Sequence, residues 1–377
     1  MSEKIPKGWK WVKLGDVVII NPNETLKKGI IAKKVPMEAL LPFTKKVKFF
    51  VFEKYNGGVK FKNGDTLVAR ITPSLENGKT VYVDLLDDNE IGFGSTEFIV
   101  LREKSGITDK QFVYYFAISN DFRDVAIKSM TGSSGRQRVQ NEVVKEFEFL
   151  LPPLPEQKAI TEVLSSIDDK IDLLHRQNKT LEEMAMTLFR QWFIEPTKDG
   201  LPEEWEEVSL GEFFPVITGK KDANFATDDG SYPFFTCSQK PLKAPSYSFD
   251  GNAILLAGNG DFNIKRYKGK FEAYQRTYVL IPYNSEYFNF LYLLMKFNLD
   301  EITRSFKGSV INYITKDMIT NFKFSLPKDR PSIKDKLLYF DRIYDKVDAN
   351  TSQIQTLDKL RDTLLPKLMS GELRVKV

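Results

Sequence analysis

The sequence predicts an α+β chain: two mixed globular segments, each followed by a long helix, with the two helices paired as an antiparallel coiled coil in a pseudo-twofold internal repeat. Three observations carry this. A frame built on Pro and Trp occurs twice, 196 residues apart. A second pair of matching segments recurs at an offset of 176. Each of those segments opens an apolar stripe with alternating spacings of four and three, the mark of a coiled-coil seam.

The first frame is Ile5-Pro6-Lys7-Gly8-Trp9-Lys10-Trp11-Val12-Lys13-Leu14-Gly15-Asp16. It returns as Leu201-Pro202-Glu203-Glu204-Trp205-Glu206-Glu207-Val208-Ser209-Leu210-Gly211-Glu212. Pro, Trp, Val, Leu and Gly keep one register through both copies, which marks a duplicated unit. The boundaries that follow are a first globular segment over 1–152, a helix over 153–199, a second globular segment over 200–330 and a second helix over 331–377. Between the matched ends the two globular segments look unlike each other. Similar frames around dissimilar middles suggest related tasks with different specificities.

In the first globular segment, Gly64-Asp65 reads as a turn leading into a strand from Thr66 to Ile71. Thr80–Val83 and Glu97–Leu101 read as further strands, Gln111–Ile118 as helix and Asn141–Phe147 as helix or mixed. The second segment repeats the order, with strands at Asn252–Leu256 and Thr277–Ile281 and a helix at Asn289–Phe297. Alternating short strands and helices give the α+β class. Each segment closes on a hydrophilic hook, Thr131-Gly132-Ser133-Ser134-Gly135-Arg136-Gln137-Arg138 in the first and Phe306-Lys307-Gly308-Ser309-Val310-Ile311-Asn312 in the second.

The first helix carries its stripe on Ile167, Ile171, Leu174, Asn178, Leu181, Ala185, Leu188 and Trp192. The second carries it on Ile343, Val347, Asn350, Ile354, Leu357, Arg361, Leu364 and Leu368. Neither stripe can be hidden by its own helix, so pairing them is the simplest solution. Asn178 and Asn350 both fall on the seam, either to fix register or at a wet edge. Trp192 and Phe193 read as core or as a partner patch. Pro155 and Pro331 align in the first helical turn, where a missing N–H costs nothing. Pro196 stops the first helix, and Gly371 caps the second. From Pro155 to Phe193 the helix reaches about 55–60 Å at 1.5 Å per residue. DNA half-sites one turn apart are separated by roughly 34 Å, so the rods are long enough to hold two readers on one duplex.

Composition sets limits. The chain has 377 residues, 42% hydrophobic and 28% charged, so it can bury cores and is not a disordered polymer. No run of roughly 18 apolar residues offers a membrane span, and the first residues lack the apolar region of a signal peptide. One cysteine, Cys237, leaves no internal disulfide and fits a cytoplasmic setting. The single histidine, His175, argues against zinc sites that need several imidazoles and thiolates. Net charge is +4; residues 1–154 hold 24 Lys+Arg against 19 Asp+Glu, and residues 200–330 balance at 16 and 16. Any nucleic-acid partner must therefore be met by clustered cations, not bulk charge.

The candidate DNA contacts follow from that requirement. Glycines and serines in the hooks let backbone N–H groups approach phosphate, and Arg136 and Arg138 can pair with phosphate or a guanine edge. Lys307 and Asn312 hold corresponding places in the second hook. Arg70 and Lys79 are further candidates in the first segment, as are Lys220, Lys221, Lys265 and Arg266 in the second, where Tyr267 and Lys268 add an aromatic-basic pattern. Each, taken singly, also reads as an ordinary surface charge.

Catalytic patterns are missing. Gly78-Lys79-Thr80 has the end of a phosphate-binding loop, but position 73 is Pro where the first Gly belongs. Gly258-Asn259-Gly260 reads as a turn. Asn21-Pro22-Asn23-Glu24 starts like the Asn-Pro-Pro-aromatic motif of adenine methyltransferases and lacks its second half. Asp168, Asp169 and Asp172 read as a solvated helix face beside Lys170, and Cys237 as structural.

Taken in order, these motifs resemble the specificity (S) subunit of type I restriction–modification systems. The resemblance rests on the Pro-x-x-Trp frame opening each half, on Leu151-Pro152-Pro153-Leu154-Pro155-Glu156-Gln157, on the Ile167-Asp168 to Ile171-Asp172 helix, and on Leu365-Pro366-Lys367-Leu368-Met369-Ser370-Gly371-Glu372-Leu373. It spans the chain. The second copy departs at Pro327-Lys328-Asp329-Arg330-Pro331-Ser332-Ile333, which lacks the Glu-Gln pair. The resemblance implies that each globular segment is a target recognition domain for one half of a bipartite, asymmetric site on double-stranded DNA. It implies conserved spacer helices that dock two modification (M) subunits, which bind S-adenosylmethionine and methylate adenine. Restriction (R) subunits would add ATP- and magnesium-dependent cleavage. This chain would hold no cofactor or metal of its own. A coiled-coil scaffold with protein-binding heads is the alternative reading.

Overall fold

The computed structural model describes residues 5–260, 262–304 and 314–376. They form two compact units, Met1–Leu173 with Gln353–Val377, and Leu174–Ser352. The division passes through the long helices, so each unit holds one globular segment and part of each helix.

The first segment supplies β1 (Lys10–Lys13), α1 (Leu14–Val17), β2 (Val18–Ile20), β3 (Ile31–Val35), β4 (Val51–Lys54), β5 (Val59–Phe61), β6 (Thr66–Ala69), β7 (Thr80–Tyr82), β8 (Gly92–Gly94), β9 (Phe98–Glu103), α2 (Lys110–Ile118), α3 (Asn120–Lys128), α4 (Asn141–Glu146) and β10 (Glu148–Leu151). Helix α5 is Leu154–Phe189. The second segment supplies β11 (Trp205–Ser209), β12 (Ile217–Thr218), β13 (Tyr232–Phe235), β14 (Leu242–Ala244), β15 (Phe249–Ala257), β16 (Ile264–Ala273), β17 (Thr277–Leu280), α6 (Phe288–Phe297), α7 (Leu299–Arg304), α8 (Lys316–Thr320) and β18 (Lys323–Pro327), and α9 is Lys334–Ser370.

The strands and helices expected from sequence are present, and the middles, unlike in sequence, share one topology. In the first unit β2-β9-β6-β7 form one sheet and β4-β3-β8-β5 another; in the second a single sheet runs β12-β17-β15-β16-β13-β14. The pairings match one by one. β2 lies antiparallel to β9 as β12 does to β17, and β9 to β6 as β17 does to β15. β3 runs parallel to β8 through Val35–Gly94, and β13 parallel to β16 through Phe235–Ala273. The continuous β16 does the work of both β7 and β8. Side chains can diverge while such a ladder persists, because its hydrogen bonds are backbone bonds.

The duplicated frame closes each segment. β1 pairs antiparallel with β10, Lys10 opposite Leu151, and β11 with β18, Trp205 opposite Pro327. Helices α2 and α6 are apolar nearly all round because they are buried all round. Each packs on the central strands of its own sheet. Asp109 caps α2 by accepting from the Gln111 and Phe112 N–H groups, and Ser119 caps α3.

The helix pairing is antiparallel within each unit. In the first, Arg361 meets Asp168 at 3.1 Å and Arg374 meets Glu156 at 2.6 Å. In the second, Asn350 Nδ2 donates to Asn178 Oδ1 at 2.9 Å, and the Phe189 and Phe340 rings lie 6.5 Å apart. Ile167, Ile171, Leu174, Ile343, Val347 and Ile354 are buried as the seam requires, and Asn350 is 1% exposed. Leu181, Leu188, Leu357 and Leu364 are only half-buried. Near the helix ends, burial passes to Phe189 of α5 and to Phe193 in the turn that follows it, and in α9 Leu365 joins the stripe residue Leu368 in the core. An α-helix drifts about 20° per heptad against a strict seven-residue repeat, which shifts the buried row by one position. Trp192 packs on Tyr339 and Phe340, so it belongs to the core. Pro331 lies in a 3-10 turn, Arg330–Ile333, ahead of α9 and not inside its first turn.

Asp168 is also corrected. It is buried, accepting from Tyr115 Oη at 2.6 Å and from Arg361. Lys45 Nζ reaches Gln111 and Tyr115 in the same network, and burial pushes its ammonium pKa down.

Candidate nucleic-acid interface

The first unit gathers its candidates at one end of the β2-β9-β6-β7 sheet. There the chain leaves β6, enters β7 and enters β9. Ala69 N donates to Lys79 O at 3.0 Å, Arg70 N to Glu97 O at 2.9 Å, and Val139 N to Arg70 O at 2.9 Å. Thr72 N donates to Gln137 O, and Thr131 and Arg138 bridge to each other, so the hook is stitched onto the strand ends. Arg70, Lys79, Arg136 and Arg138 are therefore brought together, as sequence anticipated only one by one.

Their side chains differ in readiness. Arg70 is half-buried, and its Nη2 donates to Val139 O at 2.8 Å. Lys79 Nζ donates to Met37 O at 3.2 Å. Arg138 makes a two-pronged pair with Glu97, Nη2 to Oε1 at 2.6 Å and Nε to Oε2 at 2.9 Å. That pair holds the Glu97 carboxyl below its ordinary range and fixes the guanidinium plane. Arg136 is exposed at the hook's tip. Arg123 stacks over Phe43, an exposed ring lying against Gly78.

The second unit builds the same end with other residues. Ala257 N donates to Asn263 O at 3.0 Å, Gly258 N to Arg276 O at 2.9 Å, and Ile314 N to Gly258 O at 3.0 Å. Bond for bond, Gly258 stands where Arg70 does, Asn263 where Lys79 does, Arg276 where Glu97 does, and Ile314 where Val139 does. Gly258 is required: a Cβ there would sit 2.6 Å from Arg276 O. Lys220 N and Lys221 N reach Ala273 O, and Gln275 N reaches Lys221 O, which lays the Lys220–Lys221 loop beside the β16–β17 turn. Lys265 Nζ pairs with Asn263 Oδ1 and lies 3.5 Å from Thr236 O; burial pushes its pKa down. Cys237 Sγ donates to Asn259 Oδ1 at 2.9 Å, a structural role. Thr218, Gly258, Asn259, Gln275, Arg276, Tyr278 and Ile314 line a cavity of about 250 Å³ at this end.

Arg266 does not join this surface. Its Nη1 and Nη2 meet Asp348 at 2.6 and 3.0 Å, its Nε meets Asn289 Oδ1, and its plane lies over Tyr344. Lys268 meets Asp345 at 2.8 Å. Successive strand residues face opposite sides, so Lys265 and Arg266 cannot share a face; Arg266 docks β16 onto α9. Lys307 and Asn312 lie outside the described residues. The sequence reading missed Asn259, Gln275 and Arg276. Their signal was the dismissed Gly258-Asn259-Gly260 turn, and the equivalence of Arg276 with Glu97 emerges only from strand register.

The model for the type I restriction modification DNA specificity domain matches residues 6–183 and 202–358. This chain belongs to that family. It is 44% identical over 176 residues to the EcoDI specificity subunit of Escherichia coli, a match covering 46% of this chain and 39% of that one. With the MjaVIII specificity subunit of Methanocaldococcus jannaschii it shares 24% identity over 421 aligned positions, 99% of this chain and 95% of that one. The crystal structure of the S subunit from M. genitalium has the same fold, with a TM-score of 0.60 and 19% identity, covering 97% of this chain and 98% of that one. As a type I specificity subunit the chain recognises DNA sequence and is non-catalytic; its two matched domains fit a two-part site. No helix among the described residues is long and apolar enough to cross a membrane.

Proposed function

We propose that each globular segment reads one half of a bipartite, asymmetric target on double-stranded DNA through its strand-end surface. The paired helices set the spacing between half-sites and dock two modification subunits. S-adenosylmethionine belongs to those subunits, and ATP and magnesium to the restriction subunits that complete the assembly in the cytoplasm. One observation supports this most: an identical set of backbone hydrogen bonds presents Arg70, Lys79 and Glu97 in one unit and Gly258, Asn263 and Arg276 in the other. A constant frame holding different side chains suits two readers with different targets. Phosphate contacts position a protein and base-edge contacts specify sequence, and both kinds of side chain occur at these ends.

The test is co-expression with the cognate modification subunit, followed by methylome sequencing. Adenine methylation at one two-part motif, dependent on this chain, is expected. Methylation by the modification subunit alone, or without a motif, defeats the proposal. Affinity of the assembled methyltransferase for DNA should also fall steeply with salt.

A further inference from the structure

We infer that Arg276 is a specificity-determining residue of the second segment, placed to read a guanine edge. The inference rests on the reading of the strand ends as the DNA surface. In the first unit the equivalent position is Glu97, whose carboxylate fixes the guanidinium of Arg138. In the second unit the charge is reversed and the position itself carries the guanidinium. Gly258 explains why the cation sits there: the backbone approach that an arginine at 70 tolerates leaves no room for a side chain at 258. The Arg276 backbone is pinned, its carbonyl accepting from Gly258 N at 2.9 Å. Its side chain is exposed, and no partner meets it among the described residues. Most other cations of this unit's end are engaged. Lys265 holds Asn263, Lys220 lies over Phe249 and Lys221 over Phe225. Arg276 thus stands at the lip of the cavity between Asn259 and Gln275, with a fixed base and an uncommitted planar fork. Arginine is the side chain that matches guanine O6 and N7 with two bonds at once.

The experiment reads the motif, which a structural role would not move. R276A and R276Q are co-expressed with the modification subunit, and the methylated motifs are compared with wild type. One guanine–cytosine position in the second half-site should become degenerate, its discrimination falling about 5- to 150-fold, while the first half stays unchanged. R276K should retain part of the preference. An unaltered motif in both R276A and R276Q overturns the inference. So does uniform weakening over all sequences with a salt slope lower by about one, the mark of a phosphate contact. If R276A fails to accumulate with its partner, R276Q decides by the same criteria. Absence of any two-part motif with wild type defeats the DNA-reading proposal itself, a different outcome.

Discussion

Trp9 Nε1 donates to Glu156 Oε2 at 3.0 Å, and Arg374 Nε and Nη2 close on the same carboxylate at 2.6 and 2.8 Å. Glu156 is 4% exposed, so this lock is a buried acceptor serving the opening frame and the closing tail. Gln157, wholly buried, spans Asp109 N, Ile107 O and Pro152 O. The second copy aligns Ser332 and Ile333 with this pair; Ile333 is buried as a plain hydrocarbon. Glu156→Ala leaves a buried indole N–H without its acceptor and should cost about 2–3 kcal/mol. The first thermal transition should fall by roughly 5–10 °C, whereas Ser332→Ala should cost less than about 0.5 kcal/mol. Differential scanning calorimetry of the two variants checks both. The tryptophan frame could be read in sequence because it recurs in register. The roles of the cations could not. Arg266 finds Asp348 82 residues away, and Arg138 finds Glu97 41 residues away, separations that carry no local pattern.

At the scale of elements, the helices were the most legible feature, because a coiled-coil stripe is a local periodicity. What the stripe could not supply was its own drift, or the substitution of an ionic contact for an apolar one where Arg361 meets Asp168. The Asn178–Asn350 pair joins two seam positions, and Asn178 Nδ2 also lies 3.3 Å from Thr351 Oγ1. This gives the pairing a polar reference point, as expected of a register-setting contact. It also tells where to lengthen the rods. One heptad inserted after Asn178 and another before Asn350 face each other in the antiparallel arrangement. Each adds about 10 Å of helix, so the gap between recognised half-sites should grow by up to about three base pairs. Methylome sequencing of the lengthened chain measures the gap; an unchanged value rejects the helices as a ruler.

For the whole molecule, the duplication is deeper than the sequence discloses. Frame and helix matches are visible because Trp, Pro and seam residues are constrained by burial. The sheets between them kept their order and hydrogen bonds while their side chains changed, so only the ladder records the common plan. That separation of frame from content makes a specific exchange possible. In the first unit the frame is β1 with β10, closed by Trp9, Glu156 and Arg374, and by Gly371 against Pro6. Everything from Leu14 to Phe147 lies inside it. Grafting a relative's equivalent of residues 14–147, or its whole 1–152 segment where the Pro-x-x-Trp frame is retained, keeps the lock and leaves the second unit's segment untouched, provided the donor supplies the Asp109, Ile107 and Tyr115 contacts to Gln157 and Asp168. The hybrid, co-expressed with the same modification subunit, should methylate a motif whose first half is the donor's and whose second half is unchanged. A motif altered in both halves would mean that the segments do not read independently, because a change confined to one unit's strand ends has no reason to alter contacts made by the other.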